Sequence, residues 1–132
     1  MSLSDKVLLD QFETLTLSPD DLSHVSHLRI AWLYLNNMSL KDAVEKIATG
    51  TKKYAESLGV YDKYHRTITE AIVRIMHKRM SELQNVNFEN FLQGNRDLVD
   101  DLKSLLQCHY SEEVLGSVDA RTIYFEPDKK EF

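Results

Sequence analysis

One cysteine, two prolines and four glycines in 132 residues are unusually few, and each scarcity excludes something. The single thiol, Cys108, rules out an intrachain disulfide and leaves no cysteine cluster for a zinc knuckle. So few breakers leave long stretches uninterrupted, and these carry apolar residues at the period of a helix, without the alternation of a strand. No apolar run approaches the length of a membrane span, and the N-terminus lacks a basic flank followed by an apolar stretch, so neither an anchor nor a secretory signal is expected. A basic surplus is missing too. Acidic residues outnumber basic ones by 21 to 16, for a formal net charge of −5, which argues against a nucleic-acid partner. Gly-rich phosphate loops, a G-x-S-x-G elbow and an H-E-x-x-H helix are all absent. What is present is enough apolar material, 42% of residues, to bury a core. The expectation is a single cytoplasmic domain over 1–132, all-α, an up-down bundle of four or more helices with an extended C-terminal tail.

Residues 1–17 hold a short leading helix, with Leu8, Phe12 and Leu15 at helical spacing. Ser18-Pro19-Asp20-Asp21 reads as a cap, a first-turn proline and two acids on the positive end of the dipole, so a helix is expected from Pro19 to Asn36. Ser39 caps the next helix, whose stripe of Leu40, Ala43, Val44, Ile47, Ala48, Tyr54, Ala55 and Leu58 opposes a charged face that includes Asp42, Lys46 and Lys53. Gly50 inside it costs about 1 kcal/mol against alanine, and Gly59 stands where a left-handed cap belongs. Asp62 is the expected cap of a third long helix reaching Leu83 or Gln84, and Asn85 to Asn87 form a break. Shorter helices follow over Phe88 to Gly94 and from Asp97 to Gln107, with a last turn at Ser111 to Leu115. The β-branched and aromatic Thr122 to Phe125, before Pro127, read as extended. The tail from 119 to 132 either packs on the bundle or is partly free.

On the second of these helices Val25, Leu28, Trp32 and Leu35 make a core row, which places Trp32 inside. Beside it run His24, His27, Ala31 and Tyr34, two imidazoles, a small residue and a phenol, the order in which a helix lines a pocket. In an up-down arrangement the helices beginning at Pro19 and Asp62 run parallel, so His65 would join His24 and His27 at one bundle end, and His109 with Tyr110 would arrive there as well. Only His77 would lie elsewhere. Three imidazoles suffice for a divalent ion such as zinc with an open position, which makes His24, His27 and His65 candidate metal ligands. A metal-free pocket would use the same histidines with Tyr34, Tyr64 and Arg121, the arginine holding an anionic group; Arg29 and Arg66 are weaker candidates for that role. Cys108 beside His109 does not make a nucleophile and base, because adjacent helical side chains diverge.

His24-Val-Ser-His27-Leu-Arg-Ile-Ala-Trp32, Lys63-Tyr-His65-Arg-Thr-Ile-Thr69 and Asp119-Ala-Arg121 through Asp128 resemble the motifs of a group of small, uncharacterised bacterial proteins. The likeness runs from Phe12 to Asp128, and the family pattern carries an acid where this chain has Arg66. It implies a helical fold and a bacterial, cytosolic setting, and it brings no activity with it. Two functions remain open. One is a His/Tyr-lined pocket at a bundle end that binds a small ligand or a metal ion. The other is a non-catalytic protein-interaction module whose histidines are structural. Whether a reaction is catalysed is not legible.

Overall fold

The computed structural model describes residues 3–84 and 86–132, Tyr61 by its backbone alone. The protein is all-α: among the described residues there are nine α-helices and no strand. No helix is long and apolar enough to cross a membrane among those residues. The chain divides into two compact units, Met1–Tyr64 and His65–Phe132, at a step where the sequence suggested no boundary.

In the first unit Ser4 accepts from the Val7 amide and starts α1, Asp5–Glu13. Leu15 then adopts φ 62°, the left-handed position at which helices end, and the Thr16 amide reaches back to Gln11. The segment expected as one helix from Pro19 is broken. Ser18 caps only a 3-10 turn, Pro19–Asp21, and Ser23 starts the true helix, α2, His24–Asn37. Ser39 caps α3, Leu40–Ser57, as its position suggests, and Gly59 takes φ +73° at the far end. Leu8 and Phe12 of α1, Leu28, Ile30, Ala31 and Trp32 of α2, and Ala43, Val44, Ile47 and Ala48 of α3 form the core. Trp32 is buried as expected, whereas Val25, in the first turn of α2, is 38% exposed. Gly50 has a reason the sequence did not show. A Cβ there would stand 2.6 Å from Cε2 of the Phe12 ring, so the glycine lets α1 and α3 approach.

The second unit opens with α4, Arg66–Ser81. It continues through α5, Phe88–Gly94, α6, Arg96–Asp100, and α7, Leu102–His109. The short α8, Glu112–Leu115, and α9, Val118–Thr122, complete it. Asn87 caps α5 as the break requires, while Asn85 lies outside the described residues. The helix expected over Asp97 to Gln107 is split at Asp101, whose φ −144° and ψ 41° leave the helical region. Aspartates at 97, 100 and 101 favour this, since their side chains compete with the helix for backbone donors, as Asp97 does at the Leu98 amide. Thr122, expected in the extended segment, instead closes α9; Ile123 is extended at φ −128° and ψ 154°, no helix follows it among the described residues, and the tail is held down. Thr67 Oγ1 donates to the Ile123 carbonyl and accepts from the Phe125 amide, Tyr110 OH donates to the Phe125 carbonyl, and Asp128 accepts from the Ser111 amide.

Candidate functional site

The histidine motif is divided between the units: His24, His27 and Tyr34 belong to the first, and His65 and Arg121 to the second. His65 is the N-cap of α4, where Asp62 was expected. Its Nδ1 accepts from the Ile68 amide at 3.2 Å, so Nε2 carries the hydrogen and donates to the Leu115 carbonyl at 2.8 Å. With one nitrogen accepting and the other protonated, no ring lone pair is left for a metal. In this geometry His65 serves as the α4 cap, with both ring nitrogens engaged by backbone groups. Among the described residues no group of three His, Cys, Asp or Glu side chains is placed to hold a metal ion. His109 is similarly engaged, its Nδ1 at 2.7 Å from the Lys130 carbonyl and its ring edge-on to Phe132.

His24 and His27 sit one turn apart at the start of α2, both half-buried. Burial, and then the neighbouring His24, push the His27 imidazole below its ordinary value. Tyr64 is half-buried in the extended step before α4, and Arg121 is half-buried in the last turn of α9 with no ion pair among the described residues. The other two candidate arginines are paired. Arg29 Nε donates to Asp5 at 2.7 Å, and Arg66 clasps Glu70, as Arg74 does from the other side at 2.8 Å.

Tyr34 is the one predicted site residue that borders a described cleft. Its ring is buried, and its hydroxyl donates to Glu13 Oε1 at 2.9 Å. Burial and this carboxylate push the phenol well above its usual range, so it stays protonated and serves as a fixed donor. The cleft, about 600 Å³, lies within the first unit: Glu13 comes from α1, Tyr34 and Met38 from α2, and Asp42, Lys46 and Lys53 from α3. Sequence reasoning set the α3 residues aside as a solvated face. The only signal was their recurrence at 42, 46, 49 and 53 on one side of the helix, which alone does not distinguish a cleft wall from a surface.

The second unit holds a different opening, a groove of about 520 Å³ with Ile68, Leu102, Leu106 and Leu115 on its floor and Lys103 and Glu112 among its polar residues. Elsewhere its polar groups pair with one another. Glu70 is 4% exposed between Arg66 and Arg74, Arg74 lies over the Tyr124 ring at 4.9 Å, and Arg79 holds Asp97 with two bonds of 2.7 and 2.8 Å. No protein-family model matches the chain, and no curated protein or solved structure shows significant similarity to it.

Proposed function

We propose that this chain binds a small polar molecule in the cleft of its first unit, with Tyr34 and Glu13 as the fixed polar wall. The carrying observation is the Tyr34 hydroxyl: a buried phenol orients a carboxylate at the edge of a cleft of about 600 Å³, a volume within the range of small-molecule sites. In this reading the histidines shape the fold, and binding falls to residues the motif does not contain. A bacterial, cytosolic setting belongs to the same proposal. The test is a ligand-observed magnetic-resonance screen of the full chain against a mixture of water-soluble metabolites, repeated on Thr49→Trp. Thr49 is exposed and lines the cleft, so the indole fills the opening without touching the core. Selected components should bind the native chain and lose the signal in the variant. Binding that Thr49→Trp leaves untouched, or no binding, would refute the proposal.

A second reading rests on the groove of the second unit. Its apolar floor, with a lysine and a glutamate among the lining residues, suits an amphipathic helix of a protein partner. Leu102→Asp should abolish capture of such a partner while Thr49→Trp preserves it; the opposite pattern refutes this reading.

A further inference from the structure

We infer that the molecule taken by the first-unit cleft is a small zwitterion, carrying one carboxylate and one ammonium group; this rests on the cleft being the site. The inference comes from charges of both signs that the fold gathers around one cleft. Asp42 and Lys46 stand four residues apart on α3, acid before base, the arrangement that ordinarily forms an intrahelical ion pair. Arginines close such spacings elsewhere, Arg66 with Glu70, Glu70 with Arg74, and Arg96 with Asp100 at 2.6–2.9 Å. The lysine spacings Lys6 with Asp10 and Lys52 with Glu56 enter no ion pair among the described residues, as Asp42 with Lys46 does not. Among the described residues, Asp42, Lys46 and Lys53 enter no ion pair, although all three border the cleft. Glu13 adds a second carboxylate, one oxygen of which accepts from Tyr34, and Glu45, which has a partner of its own, a third.

The wall therefore shows both signs. A dianion would satisfy Lys46 and Lys53 but meet Asp42, Glu13 and Glu45, and a dication would meet the two lysines. A molecule with one charge of each sign can match both sets, so discrimination comes as much from the repulsion of the wrong ligands as from attraction. Asp42 and Lys46 differ by about 6 Å along the helix axis, a separation that a five-carbon chain with a charge at each end can span. Thr49, one turn beyond Lys46, offers a hydroxyl to the carboxylate end.

The test is calorimetric titration of the full chain with three five-carbon probes: 5-aminopentanoate, glutarate and 1,5-diaminopentane. The zwitterion should bind at least about tenfold more tightly than either of the others. Asp42→Asn and Lys53→Gln should each weaken it about fivefold or more, whereas Arg96→Gln in the second unit should leave it unchanged. Circular dichroism of the variants verifies that they fold. Glutarate or the diamine binding as tightly as the zwitterion would overturn the ligand class while leaving the cleft as a site. Failure of all three probes at about 10 mM would also overturn the class. The cleft reading itself falls only if the metabolite screen yields no ligand sensitive to Thr49→Trp.

Discussion

In the unit formed by residues 1–64, unpaired charges gather at the rim of an open cleft, whereas in the unit formed by residues 65–132 the most buried polar groups are fully engaged inside. Asp42, Lys46 and Lys53 reach solvent with no ion pair among the described residues, while Glu70, Thr67 and His65 are each buried and each hydrogen-bonded. Among the described residues no buried side-chain nitrogen or oxygen lacks a partner. The difference separates two uses of polarity. A buried polar group with every bond made fixes the fold, because removing its partner strands it away from water. An exposed group held near others without a partner is free to meet a ligand. By that criterion the histidine motif, the most conspicuous feature of the sequence, contributes to architecture through His65, and the inconspicuous polar face of α3 is where the proposed binding falls.

The largest expected effect on this comparison comes from Glu70. Glu70→Ala leaves Arg66 and Arg74 without their shared carboxylate and should cost about 3 kcal/mol in denaturant unfolding, while Lys53→Gln in the cleft should change stability by less than about 0.5 kcal/mol. Equal losses would erase the distinction between the two units. Next comes His65. His65→Ala removes the α4 cap and strands the Leu115 carbonyl, at about 2 kcal/mol, and His65→Asn should recover roughly half by restoring the cap alone. Added zinc should leave the melting temperature of the native chain unchanged; a rise lost in His65→Ala would restore the ligand role. Smaller again is Gly50→Ala. Alanine gains helix propensity, yet its methyl meets the buried Phe12 ring, so a net loss of about 1 kcal/mol is expected, and a gain would show that the ring yields.

The smallest effect concerns pH. His27 is held below its ordinary value in the folded chain, so between the two values the unfolded state binds more protons. Its contribution is present above about pH 6.5 and is lost as the pH falls through the lowered folded value. Asp97, depressed by Arg79, and Asp128, depressed by its bonds from Ser111, act lower, with contributions present above about pH 3.9 and lost as the pH falls through their lowered values. Trp32, the single tryptophan, lies in the first unit. Unfolding followed by its fluorescence should show a midpoint that declines below about pH 6.5 and flattens in His27→Gln. A native chain without that decline would contradict the burial of His27.

Local chemistry made much of this fold legible. Ser39, Gly59 and Asn87 act where their types and positions suggest, and the helical period located most of the core. What could not be read was the choice between equivalent local signals. Ser18 and Ser23 are both competent caps, and each starts an element, but only the second begins a full helix. Asp62 is the better cap by propensity, yet His65 takes the position because Leu115, fifty residues away, supplies a second bond. The cleft was hidden for the same reason. It depends on Phe12 meeting Gly50 and on Tyr34 finding Glu13, contacts between helices that no short-range pattern encodes.

The most direct test is a two-dimensional amide spectrum of the full, isotope-labelled chain titrated with 5-aminopentanoate. The resonances that move most should be those of Glu13, Tyr34, Asp42, Lys46, Thr49 and Lys53, with the amides from His65 to Thr69 unmoved. Shifts centred on His24 and His27, or on His65 and the start of α4, would place the binding site in the histidine motif and contradict the division of roles between cleft and cap.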